Sequence, residues 1–312
     1  MRIVSLFSGA GGLDLGLEQA GHQVIWANDN DADAVATYKR NLGDQILLGP
    51  IESVPSDVIP TADVIVGGFP CQGFSQANLR REVEDDRNLL YKHFVRGLRT
   101  TKPKYFIAEN VRGILSLGGG AVLERILADF RRLGYHVEHH LLNAADYGVP
   151  QSRLRVLFLG TRREIPERQR LTLPKPTHAR KDRLSNSVAP WRTIGEALAD
   201  IPEPDTEHSL LNHVCSKYKV TNRNFTGHRR TDGSKPSPTI LARGNGGGGV
   251  CAIPHPKNHR RLTVRESAIV QSFPIDFVFC GGLNSMYRQV GNAVPVELAR
   301  HLGIALNRAS EG

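Results

Sequence analysis

Cysteine is scarce and scattered. Cys71, Cys215, Cys251 and Cys280 are the only four in 312 residues, and no two form a C-x-x-C pair. That excludes the disulfide framework of a small secreted domain and leaves no zinc knuckle. Long apolar runs are missing as well: no stretch reaches the ~18 residues of a membrane span, so no membrane partner is expected. Met1-Arg2 leads directly into Ile3-Val4-Ser5-Leu6-Phe7 with nothing resembling a secretory signal, and a cytoplasmic address is expected. Twelve histidines are present, yet His139-His140 and His255/His259 lack acidic or thiol partners at ligand spacing, so no metal is expected.

What is present is enough to fold. Hydrophobic residues make up 40% of the chain, which suffices for one large core or two of ordinary size. Lys and Arg number 40 against 31 Asp and Glu, a net charge of +9 that favours a polyanionic partner without identifying one.

The first half alternates. Short β-branched runs at Ile3–Phe7, Val24–Ala27, Val64–Val66, Tyr105–Ala108 and Val156–Leu159 read as buried strands, and Leu13–Ala20, Asp31–Arg40, Leu89–Arg99 and Val122–Leu133 have helical spacing. The pattern predicts an α/β fold with a doubly wound, mostly parallel sheet, whose ligands collect beyond the carboxyl ends of the strands. The loops are therefore the informative part. Phe7-Ser8-Gly9-Ala10-Gly11-Gly12-Leu13-Asp14 is a Gly-rich turn opening a helix, but Asp14 stands where the third glycine of G-x-G-x-x-G belongs, which favours a nucleoside-type cofactor other than a dinucleotide. After the second strand, Asn28-Asp29-Asn30-Asp31 offers an acid for ribose hydroxyls, although either Asp29 or Asp31 would serve equally as a helix N-cap.

Cys71, in GGFPCQGFSQA, directly follows one of these strands. Packing filler, metal ligand, redox group and nucleophile are all roles open to a lone thiol. The next strand ends in Glu109-Asn110-Val111, so a thiol and a carboxyl just past neighbouring strand ends would face one pocket as nucleophile and proton donor. Gln151-Ser152-Arg153-Leu154-Arg155 starts a further strand whose alternation points Gln151, Arg153 and Arg155 the same way.

Eight segments in this order, FSGAGGLDLGLEQAG, NDNDADAV, GGFPCQGFS, DDRNLL, ENVRGIL, QSRLR, RRLTVRESAIVQSFP and YRQVGNAVPVELA, resemble the DNA (cytosine-5)-methyltransferases over nearly the whole chain. The resemblance implies a Rossmann-like sheet using S-adenosylmethionine, with S-adenosylhomocysteine as product, and methyl transfer to C5 of a cytosine flipped out of duplex DNA. It implies that Cys71 attacks C6, that Glu109 holds or protonates N3, and that Arg153 and Arg155 hold the base and orient the thiol and carboxylate. For the cofactor it implies Phe7 on the adenine, Gly9, Gly11 and Gly12 along the methionine part, and Asp29 on the ribose. Asn30, Ile51, Phe69, Leu90 and Asn292 complete that pocket. Two positions depart from the family: Pro50 stands where an Asp often contacts the adenine amino group, and Asn30 where an aromatic often stacks.

From about Glu164 the composition shifts to Pro, Arg, Lys, Asn and Gly. This resembles the family's variable target-recognition domain, so residues 1–163 plus 285–312 are expected to form a discontinuous catalytic domain and 164–284 the recognition domain with its return segment. Gln72 and Ser75, Arg80 and Arg81 in a closing loop from Gln76 to Arg87, and Arg229, Arg230, Thr239 and Arg243, around a Thr239-Ile240 pair like the family's recognition pair, are the expected DNA contacts. The implied partners are double-stranded DNA and a restriction endonuclease of the same specificity, for a monomer of bacterial or phage origin. The rival readings are a tRNA cytosine-5 methyltransferase of the same fold and a DNA-binding subunit without activity.

Overall fold

A computed structural model describes residues 1–70, 90–183, 187–215, 230–242, 253–257 and 260–311. In chain order the first elements are β1 (Arg2–Leu6), α1 (Gly12–Gln19), β2 (Gln23–Asp29), α2 (Ala32–Leu42), β3 (Ile46–Leu48) and β4 (Val64–Gly67). They are followed by α3 (Leu90–Thr101), β5 (Tyr105–Val111), α4 (Ala121–Arg132), β6 (Tyr135–Asn143) and β7 (Leu154–Arg162). The seven strands form one sheet in the order β3-β2-β1-β4-β5-β7-β6. β1 to β5 run parallel, and the hairpin β6-β7 enters through an antiparallel β5-β7 pairing.

Strand alternation divides the core into two layers. Ile3, Val64, Val66, Ile107, Leu157 and Leu159 face one cluster, and Val4, Leu6, Ile65, Phe106, Ala108 and Phe158 face the other. α4 shows why its sequence is helical: Leu123, Ile126, Leu127 and Phe130 recur at a 3.6-residue period and are its buried residues. The remaining elements are the two-residue strands β8 (His178–Ala179) and β9 (Ala189–Pro190), α5 (Ile194–Ala197), α6 (Val264–Val270), α7 (Leu283–Asn292) and α8 (Val296–Glu311). Capping boxes at Thr193/Glu196 and Thr263/Glu266 start α5 and α6.

α8 returns to the first cluster and lies on α1, where the backbones come close because Gly16 and Gly303 carry no side chain. A Cβ on Gly16 would strike the Val296 carbonyl and Ala299, and one on Gly303 would meet Ala20. A third cluster joins Ile194, Leu198 and Ile240 to Leu262, Val264, Phe273, Phe277 and Phe279, and includes Ala10, Val290 and Val296 from the sheet side. The two halves of the chain therefore share a core.

The expected strands and helices are all present, with three differences. β3 and β6 were not among the expected strands. β3 is three residues long with Leu47 and Leu48 exposed, and β6 is an edge strand in which His136, Glu138 and His139 face outward, so neither carries a continuous apolar run. Second, Glu109 lies inside β5, opposite Leu157, and not past the strand end. Third, β7 begins at Leu154, so Gln151 to Arg153 form its approach, with Gln151 paired only in an isolated bridge to Ser237.

Candidate active site

The parallel register brings the strand ends into line. Leu6 pairs with Asn28 and with Gly67, and Gly67 pairs with Ala108, so the loops after β1, β2 and β4 leave the sheet side by side. The first loop turns sharply. Phe7 has φ 56°, unusual for a residue with a side chain, followed by Gly9 at 55° and Gly11 at 87°. Ser8 donates its backbone N–H to the Asn28 carbonyl at 3.0 Å, and Gly9 donates to Asp29 Oδ2 at 2.8 Å. Asp29 also accepts from the Asp31 N–H through Oδ1 at 2.9 Å, and burial pushes its carboxyl above the usual range. Asp31 takes the capping role, accepting from the N–H groups of Asp33 and Ala34 at the start of α2.

The three loop glycines have different reasons to be glycine. Nothing lies within 4 Å of a Cβ built on Gly9, so this backbone faces open space that a ligand can enter. A Cβ on Gly11 would strike Leu42 and Tyr38, and one on Gly12 would stand 2.5 Å from the Val294 carbonyl. At Gly11 and Gly12 the missing Cβ makes room for neighbouring protein. Ile51 and Phe69 are 3% and 2% exposed; the Phe69 ring packs among Tyr91, Phe94 and Phe158. Ile51 heads a single 3-10 turn (Ile51–Ser53). Leu90 is half-buried, and Asn30 and Asn292 are exposed.

The carboxyl and the thiol loop meet across β5. Gly68 is close enough to Glu109 that a Cβ on it would lie 3.1 Å from Oε2, and Asn110 donates from Nδ2 to the Phe69 carbonyl at 3.0 Å. The backbone two residues before Cys71 is thus pinned to the strand that carries Glu109. On β7, Arg155 sits diagonally from Glu109 on the same face, since Glu109 pairs with Leu157 and Val111 with Arg155. Its Nε stands 2.6 Å from Glu109 Oε1, both side chains being about nine-tenths buried; the N–H is not aimed along that contact, which makes it an ion pair more than a hydrogen bond. Arg153, expected to hold the base, is engaged by backbone carbonyls in the structure. It is 1% exposed and donates from NH1 to the Ile240 carbonyl and from NH2 to the carbonyls of Gly291 and Ala293, each at 2.9 Å. Burial first, and the neighbouring Arg155 second, push its guanidinium down to about 9, which leaves it charged at neutral pH.

Cys71, Gln72, Ser75, Arg80, Arg81, Arg229 and Arg243 lie outside the described residues. Arg230 is exposed, and Thr239 donates its hydroxyl to the Ser152 carbonyl at 2.7 Å, rooting the Thr239-Ile240 pair beside the start of β7.

Sequence reasoning used Asp14 only as a missing glycine. In the structure it is fully buried beneath the glycine turn, accepting from Ser5 Oγ at 2.6 Å and from the Tyr38 hydroxyl at 2.9 Å. Desolvation raises its pKa to about 7 against the lowering effect of those two donors, with Glu18 and Asp29 nearby adding to the rise. A carboxyl raised on folding contributes stability that is complete below the unfolded pKa and is lost as pH climbs through the folded one. Asp14→Asn is expected to remove that loss, so from pH 4 to pH 8 the wild type declines relative to the variant by roughly 4 kcal/mol at most. Denaturant unfolding of both proteins at several pH values checks this; parallel curves would show that Asp14 does not titrate in this range.

Residues 1–308 match the family described as C-5 cytosine-specific DNA methylase. The type II methyltransferase M.NgoFVII of Neisseria gonorrhoeae is 39% identical over 328 residues, covering 96% of this chain and 86% of that protein. M.MthTI of Methanothermobacter thermautotrophicus, also a type II methyltransferase, is 34% identical and covers 100% of this chain and 98% of its own. Among solved structures, the S. pombe Dnmt2 methyltransferase superposes with a TM-score of 0.72 at 19% identity, covering 98% of both chains, which supports the fold.

Proposed function

Because the chain belongs to the C-5 cytosine-specific DNA methylase family and is a DNA (cytosine-5)-methyltransferase, we propose that its donor is S-adenosylmethionine and that Cys71, Glu109 and Arg155 carry the reaction. The open backbone at Gly9, the strained Phe7 beside it and the Asp29 carboxylate fit a nucleoside with an attached amino acid. Phe7, Gly9 and Asp29, with Ile51 and Asn292, would hold it. When bound, S-adenosylmethionine supplies an electrophilic methyl group on a sulfonium.

Cytosine C5 is a weak nucleophile while the ring is aromatic. The Cys71 thiolate adds to C6, and the electron pair released from the C5–C6 bond moves toward N3, where the Glu109 carboxyl supplies a proton. Arg155 keeps that carboxyl in place and faces the negative charge that would otherwise build up in the ring. C5, now enamine-like, takes the methyl group. Loss of the C5 proton to water or hydroxide restores the double bond, Cys71 leaves as thiolate, and Glu109 recovers its proton from N3. A base inside a duplex is out of reach of any thiol, so the target cytosine is flipped out first. One observation carries this reading: Gly68 and Asn110 fasten the backbone leading to Cys71 against Glu109, within one sheet edge that also bears the Gly9 opening.

The domain division of 1–163 plus 285–312 and 164–284 belongs to the same proposal, with α7 at the seam. So do DNA binding in the cleft by Arg230 and Thr239, a monomeric state, a cytoplasmic location and a cognate restriction endonuclease. Among the described residues no helix is long and apolar enough to cross a membrane. The test offers tritiated S-adenosylmethionine with duplex DNA or with tRNA, followed by bisulfite sequencing of DNA from an expressing host. Label in DNA and one short methylated motif are expected; label in tRNA alone, or in neither, would overturn the proposal.

A further inference from the structure

Two buried glutamines form a chain of hydrogen bonds that connects the recognition pair with the turn carrying Asn292. The Ile240 N–H donates to Gln151 Oε1 at 2.9 Å, Gln151 Nε2 donates to Gln271 Oε1 at 2.7 Å, and Gln271 Nε2 donates to the carbonyls of Val290 at 2.7 Å and Ala293 at 3.3 Å. Both side chains belong to residues that are 0% exposed. The chain starts at a backbone donor and ends at backbone acceptors, so each carboxamide can stand only one way round, and no side chain with a single kind of polar atom can replace either link. Arg153 runs alongside, bridging the Ile240 carbonyl to those of Gly291 and Ala293. Close packing reinforces the connection: a Cβ on Gly291 would lie 2.5 Å from Leu241 C and Ala242 N. The other flank of the recognition segment is tied to the start of β7, with Ser237 N–H donating to the Pro150 carbonyl at 2.9 Å and Ser152 N–H to that of Ser237 at 2.8 Å.

We propose that Gln271 is a positioning residue which, through Gln151, couples engagement of the cognate DNA sequence at Thr239-Ile240 to affinity for the methyl donor at the turn Val290–Ala293. The inference rests on the functional reading above, in that Asn292 borders the donor pocket and Thr239-Ile240 meets DNA. A buried, fully paired relay has no slack: moving the Ile240 end opens a hydrogen bond that no water replaces, so the other end follows. Coupling is reciprocal, and donor binding tightens the grip on cognate DNA by the same factor.

The experiment titrates S-adenosylhomocysteine into the full-length enzyme alone, with a duplex carrying the methylated motif, and with a scrambled duplex. Wild type is expected to bind about tenfold more tightly with the cognate duplex. Gln271→Met and Gln151→Met keep the volume and remove the relay; each is expected to bring that ratio to within about twofold of one, and the double variant to do no more than either single change. KM for the donor on cognate DNA rises in both, while kcat at saturation changes less, a split that general loosening of the fold would not give. A wild-type ratio of one, or a ratio unchanged in a folded variant, overturns the proposal. If the methionine variants do not fold, Gly291→Ala, whose added Cβ would press on Leu241 and Ala242, is expected to bring the same ratio to within about twofold of one, and an unchanged ratio in that folded variant overturns the proposal. Methyl transfer by the wild type, measured in parallel, separates failure of this inference from failure of the functional reading.

Discussion

Cys71→Ser lowers methyl transfer by about 10³-fold or more, while affinity for duplex DNA stays within roughly threefold. The reaction needs a soft nucleophile that is ionised in useful amount near neutral pH and leaves again after the methyl group has been added. A thiol titrates near 8.5, within reach of neutral pH, whereas a serine hydroxyl does not ionise there. Binding is spared because affinity comes mainly from phosphate contacts made by basic side chains elsewhere. Tritium transfer and gel-shift titration of the same preparation read the two effects separately. Duplexes with 5-fluorocytosine at the target give a complementary result: wild type is expected to form a denaturant-resistant adduct at Cys71, seen by mass spectrometry, because fluorine cannot leave as the proton does. Substantial turnover in the serine variant, or an adduct at another residue, would remove Cys71 from the mechanism.

Glu109→Gln comes next, with an expected loss of about 10²-fold to 10⁴-fold in kcat. The amide occupies the same space, so the sheet edge should fold as before. It has no acidic proton to give N3. The loss should therefore fall on kcat more than on KM for DNA, and adduct formation with the fluorinated duplex should slow in proportion. A variant that forms the adduct at the wild-type rate would mean that proton donation at N3 does not limit attack by the thiol.

Some parts of the structure were legible because local chemistry settles them. Val64-Ile65-Val66 and Tyr105 to Ala108 are apolar runs too short for helices and flanked by turn residues, so they can only be buried strands. A cap at Asp29 or Asp31 was readable from their place before an amphipathic run, and the structure gives the role to Asp31. β6 escaped because an edge strand with exposed histidines and a glutamate has no apolar continuity, and its place is set by pairing with β7. Gln271 escaped for a related reason. A glutamine at the end of a helix is usually solvated, and only a partner 120 residues away in sequence makes it part of a relay. Arg153 and Arg155 are two residues apart and chemically identical, yet one meets a carboxylate and the other three carbonyls.

The sequence by itself determined the alternating fold, the family and the order of its chemical groups, since each depends on residues near one another along the chain, on hydrophobic period, turn chemistry and motif. Tertiary structure alone decided which of those groups face each other. Gly9 is open while a Cβ on Gly12 would meet Val294, Glu109 meets Arg155 and not Arg153, and Ile240 is linked to Val290 through two glutamines. The physical reason is that hydrogen bonds and close contacts between distant segments depend on register and on how α7 and α8 settle onto the sheet, and no local pattern encodes either.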